Sequence, residues 1–173
     1  MLVLKFLIVI LLIIMFIQDV QSRSISWPLF PMLGLCGLVI QLRLAYPAGE
    51  IIRFTLLNLA FLILQYLCVR LYFRLARGRQ TKVIDALIGC GDLLFLLCVA
   101  FILPTATFII FYAASLFFIL IGWALYRWLR SNGNKHVPLA GLQALLLLIF
   151  ASGDWLFGWY RLFDDPFIFL FSN

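Results

Sequence analysis

The chain has 173 residues, 66% of them hydrophobic and only 12% charged, and its mean hydropathy is +1.15. Soluble domains are nearer half apolar and a quarter charged, so a water-exposed monomer of this make-up could not cover its own apolar surface. A soluble enzyme, a disordered chain and, despite the formal net charge of +6, a nucleic-acid binder are excluded. What is left is an all-α polytopic membrane protein, a single integral-membrane domain over residues 1–173 with the lipid bilayer as its solvent.

Six apolar runs can be cut at charges, Pro and Gly. The first covers about 2–18 and ends at Gln18-Asp19; no small-x-small cleavage site follows it, so it is expected to be retained as a span. The second covers about 28–46, between Pro28 and Tyr46-Pro47. The third covers about 51–73 and fades into Arg70, Arg74, Arg77 and Arg79. The fourth runs over about 83–103 to Pro104, the fifth over about 106–128 to Arg127 and Arg130. The sixth covers about 137–160 and opens at Val137-Pro138.

Basic residues mark cytoplasmic loops. They concentrate in 70–82 and in 127–136, which makes the third and fifth spans end inside. Counting back gives six transmembrane helices with both termini outside; Lys5 and Arg43 run against this orientation. Trp123, Tyr126 and Trp128 suit an inner aromatic belt, and Trp155, Trp159 and Tyr160 an outer one. Cys36, Cys68, Cys90 and Cys98 all lie in apolar runs without a C-x-x-C pair, so they read as small buried hydrophobes.

Acids inside membrane spans are costly and mark function by default. Of the seven acids, Glu50, Asp164 and Asp165 fall in loops, whereas Asp19, Asp85, Asp92 and Asp154 lie in or beside spans. In this topology Asp19 ends the first span inside, Asp92 lies in the inner half of the fourth, and Asp154 is on the outer side, where Arg161 is its expected partner. Asp92 closes the run Gly89-Cys90-Gly91-Asp92. From this chain's composition a G-x-G-D run is expected by chance about 0.02 times. Glycines weaken the helix by about 1 kcal/mol each and offer close backbone approach and unwinding. A small-residue packing face would use the same glycines. Asp85, seven residues before Asp92, shares its face in a continuous helix and is a candidate supporting residue or ion-pair partner.

Two carboxylates close together in a low-dielectric site share one proton. The ionised acid can then take a proton from water while the other polarises a peptide carbonyl, with no metal or cofactor. The lone histidine, His136, reads as a solvated loop residue, and a Ser–His hydrolase has no histidine in the membrane region to use.

Three segments resemble the type IV prepilin peptidase family of GxGD aspartic proteases, in its short, single-domain branch serving Tad-type pili. Asp19-Val20-Gln21-Ser22-Arg23-Ser24-Ile25 is similar to the family's D-x-x-x-R-x-I. Gly89-Cys90-Gly91-Asp92 is similar to its G-x-G-D, and Lys135-His136-Val137-Pro138-Leu139-Ala140-Gly141 to its K-x-x-P-F-G-P. The resemblance implies Asp19 and Asp92 as the acid pair, with Gly89, Gly91, Arg23, Lys135 and Pro138 as supporting motif residues. It implies a bacterial inner membrane and a prepilin-like substrate with a short basic leader and a hydrophobic helix, cut just after a Gly at the cytoplasmic face. The chain departs from the pattern at Leu94, where the family often has Lys, and at Ser26-Trp27, where it often has Pro-Asn. The cysteine-rich insertion of larger members is missing, so N-methylation is not expected. Two other functions remain open on the residues: a non-catalytic scaffold in pilus or secretion machinery, and a small cation- or proton-coupled transporter.

Overall fold

The computed structural model describes residues 2–22, 24–44, 46–77, 90–129 and 139–157. Among the described residues every regular element is an α-helix: α1 (Leu2–Ser22), α2 (Leu29–Arg43), α3 (Ala48–Arg77), α4 (Cys90–Ile102), α5 (Thr105–Leu129) and α6 (Leu139–Phe157). Each of the six predicted runs overlaps one of these helices. Three are long and apolar enough to cross a membrane: α1, the Ala48–Tyr72 part of α3 and the Thr105–Gly122 part of α5. The apolar stretches of α2, α4 and α6 are shorter. At 1.5 Å per residue α1 is about 31 Å long, close to a hydrocarbon core of about 30 Å, whereas α2 is about 22 Å.

The starts of the helices follow from local chemistry. Pro28 stands at the N-cap of α2 with φ −65°. Its carbonyl accepts from Met32, and Pro31 falls in the first turn, where a missing N–H costs nothing. The Pro47 carbonyl opens α3 by accepting from Glu50 and Ile51, and the acid of Glu50 suits the positive end of that helix. Pro104 divides α4 from α5 and its carbonyl accepts from Phe108 at 2.8 Å. One boundary differs from the sequence expectation. Helix α3 continues past 73 to Arg77, so Arg70, Arg74 and Arg77 ride on a helix rather than a loop. Leu, Ala and Arg are good helix formers, and the first breaker after them is Gly78.

On α1, Ile8, Leu11, Leu12, Met15 and Asp19 are buried, a helical stripe that turns one face inward while Ile10, Ile14, Ile17 and Val20 face outward. Helix α6 answers with buried Ala140, Ala144 and Ala151, small residues at helical spacing that let two backbones approach, with Leu147 between them. The two helices are antiparallel along their length: Gly141 meets Asp19 at one end, and the Lys5 ammonium lies 5.2 Å from the Trp155 ring at the other. Phe30, Leu33, Ile40, Phe95, Val99, Leu103, Phe108 and Phe111 complete the core. Cys36 and Cys98 are buried as expected, but Cys68 is exposed on the outer face of α3.

Contacts along the bundle fix the direction of every helix. The Cys98 thiol donates to the Phe30 carbonyl, and the Gln41 amide to the Ile102 carbonyl, so α2 and α4 run parallel. Phe54 meets Thr105, and Phe61 packs edge-on against Phe108 and Tyr112, so α3 and α5 also run together. One end of the bundle therefore gathers the ends of α1, α3 and α5 and the starts of α2, α4 and α6.

At the opposite end lies the break at Pro104. Proline has no N–H for the Ala100 carbonyl. Asn58, fully buried, fills the vacancy by donating to Ala100 O at 3.0 Å and to Leu103 O at 2.9 Å. Gln41, also buried, donates to Ile102 O at 2.6 Å. Gly37 packs so closely on Ile102 that a Cβ there would clash with its side chain.

Candidate active site

Asp19 occupies the last turn of α1 on the helix's buried face and is 8% exposed. Its Oδ2 accepts a hydrogen bond of 2.6 Å from the backbone N–H of Gly141. Gly141 lies in the first turn of α6, where backbone N–H groups have no intrahelical acceptor and the helix dipole favours a carboxylate. The approach is too close for any side chain: a Cβ on Gly141 would stand 2.8 Å from Asp19 Cβ and 2.9 Å from Oδ2. Two residues on, buried Gln143 donates to the Ser115 hydroxyl at 3.4 Å, which ties the same part of α6 to α5.

The chain just after Asp19 is built to turn into α2. Ser22 caps the end of α1 by donating to Gln18 O at 2.8 Å and also reaches Ser24 O. The Gln18 side chain reaches forward and accepts from Ser26 N–H at 2.9 Å. Ile25 packs against the core. Acid and isoleucine of the D-x-x-x-R-x-I segment are thus both anchored inward. Trp27, by contrast, is 74% exposed at this end of the bundle.

Asp92 lies in the first turn of α4 and is half-buried. It precedes Cys98, which meets Phe30 at the start of α2, by about 9 Å of helix. Asp92 therefore belongs to the end of the bundle that holds Asp19. The two acids stand on different walls of it: α1 packs on α2 and α6, and α4 packs on α2, α3, α5 and α6. Among the described residues, which leave out 78–89, a Cβ on Gly91 would find nothing within 4 Å. Leu94, at the position of the family's Lys, packs against the core.

Arg70 and Arg74 are exposed on the last turns of α3 at this same end. Asp154 and Trp155 lie toward the other end of α6, on the Lys5 side and away from Asp19. Arg23, Asp85, Gly89, Lys135, His136, Pro138 and Arg161 lie outside the described residues. No cluster of three or more His, Cys, Asp or Glu that could hold a metal occurs among the described residues.

Three residues carry more than the sequence disclosed. Gly141 lies within a motif-like segment, yet its part as the donor to Asp19 needed the antiparallel pairing of α1 and α6 to emerge. Gln41 and Asn58 are amides inside apolar runs, and amides in spans are a signal for buried hydrogen bonding. Comparison with protein-family models, with curated proteins and with solved structures gave no match.

Proposed function

We propose that this chain is a membrane aspartic endopeptidase of the prepilin peptidase type, acting through Asp19 and Asp92 without metal or cofactor. The observation that carries the proposal is the position of Asp19. An acid on the core face of an apolar helix is expensive, yet it is buried, oriented by a backbone N–H, and gathered at the same end of the bundle as Asp92. Among the described residues nothing crowds Gly91 beside Asp92, which suits the approach of a substrate backbone.

In the proposed reaction one acid is ionised and the other holds a proton. The ionised carboxylate takes a proton from water as the water oxygen adds to the scissile carbonyl carbon. The protonated acid hydrogen-bonds the carbonyl oxygen and stabilises the charge that develops there. The tetrahedral adduct then collapses, the C–N bond breaks, and the proton taken from water passes to the leaving nitrogen.

Six spans, both termini periplasmic and a bacterial inner membrane complete the reading. Arg70 and Arg74 at the end that carries the acids support a cytoplasmic placement of that end, by the distribution of basic residues. The substrate would be a prepilin-like protein, its hydrophobic helix in the bilayer and its short basic leader projecting to the acids. A transporter fits less well, because the acids lie at one end of the helices rather than halfway along them. The test is incubation of the purified protein in lipid vesicles with prepilin-type leader substrates, followed by mass spectrometry. Cleavage after the leader's Gly is expected. A protein that inserts and folds but cuts no leader in a broad panel defeats the reading.

A further inference from the structure

We infer that Gly141 is a positioning residue: its N–H fixes Asp19 Oδ2, so Oδ1 is the oxygen through which Asp19 exchanges a proton. This rests on the protease reading above and deepens it. Three observations carry it. The 2.6 Å bond fills one lone pair of Oδ2 and turns that edge of the carboxyl group toward the start of α6, which leaves Oδ1 as the oxygen turned away from the helix. Asp19 is 8% exposed, so its carboxyl group has little room to rotate away. The glycine is required by space as well, since a Cβ would press on both Asp19 Cβ and Oδ2.

Helix α6 acts through this contact as an orienting device. Its inner stripe of Ala140, Ala144 and Ala151 holds it close against α1 and so fixes the distance at which the N–H meets the acid. The opening turn supplies a donor with no other acceptor in its own helix. In the reaction the proton leaving water goes to Oδ1, or a proton held on Oδ1 is donated to the carbonyl oxygen, and Oδ2 keeps its bond to Gly141 throughout.

The experiment has two parts on the full-length protein. The first needs no substrate. In ¹⁵N-glycine-labelled protein in nanodiscs, the Gly141 amide, identified by its loss in Gly141→Ala, is expected to resonate strongly downfield in the wild type. It should move upfield in Asp19→Leu and stay near its place in Asp19→Asn, whose side-chain oxygen can still accept. A Gly141 amide indifferent to Asp19→Leu overturns the inference. The second part measures leader cleavage by Gly141→Ala. A displaced acid is expected to lower kcat on the order of 10²-fold with KM little changed. A rise in KM alone, or full activity, overturns the positioning role. No cleavage by the wild type on any leader takes down the protease reading and the positioning role with it, while the amide shift still reports whether the contact exists.

Discussion

The two ends of this helix bundle solve the same problem with different groups. At each, a helix terminus leaves backbone groups without partners. At the Pro104 end, neutral amides of Gln41 and Asn58 donate to the last carbonyls of α4, and Gly37 packs tightly on Ile102. At the other end the partner is a carboxyl group, Asp19, taking the N–H of Gly141, and Asp92 stands on a different wall of that same end. The cap at the Pro104 end is neutral and closely packed, though Gln41 Oε1 and Asn58 Oδ1 are left buried without an N–H or O–H partner among the described residues. A buried acid capping a helix inside an apolar bundle is costly for stability and suited to chemistry.

The largest expected contrast comes from exchanging polar groups at the two ends. Asp19→Asn should reduce cleavage by about 10²–10⁴-fold and leave the unfolding transition nearly unmoved, because an amide oxygen still accepts the Gly141 N–H. Asn58→Leu should do the reverse. It strips donors from the Ala100 and Leu103 carbonyls and should cost about 1–3 kcal/mol of stability, read from denaturant unfolding in mixed micelles, while the remaining folded fraction keeps its specific activity. Activity loss in the Asn58 variant at full folded fraction would erase the distinction between the ends.

Two glycine substitutions sharpen the comparison. Gly37→Ala should cost about 1–3 kcal/mol through crowding against Ile102, and pairing it with Ile102→Val should recover part of that loss, which a double-mutant cycle in unfolding free energy would measure. Gly91→Ala should instead stabilise α4 by about 1 kcal/mol or less, the ordinary helix preference of Ala, because among the described residues nothing lies within 4 Å of its methyl group. If Gly91→Ala destabilises the protein as much as Gly37→Ala does, the space beside Asp92 is not open.

The positions of the six helices were legible in the sequence, because charges, Pro and Gly punctuate apolar runs that have little else to do. Their ends were less so. Arg70 to Arg77 read as a loop by charge, but long basic side chains sit well on the end of a helix, and charge alone does not stop one. Asp19 was legible as a candidate because an acid at the end of an apolar helix is rare. Its hydrogen bond was not, since Gly141 is 122 residues away and only the pairing of α1 with α6 brings them together. Asn58 and the vacancy left by Pro104 are likewise far apart in sequence, so neither residue alone announces the bond.

In the proposed reaction Asp19 and Asp92 act together at one end of the bundle. Its most direct test is cleavage of a prepilin-type reporter in membranes, wild type against Asp92→Asn at matched expression. Product from the wild type and none from the variant is the predicted result. Equal product from both would remove Asp92 from the chemistry and contradict the pair.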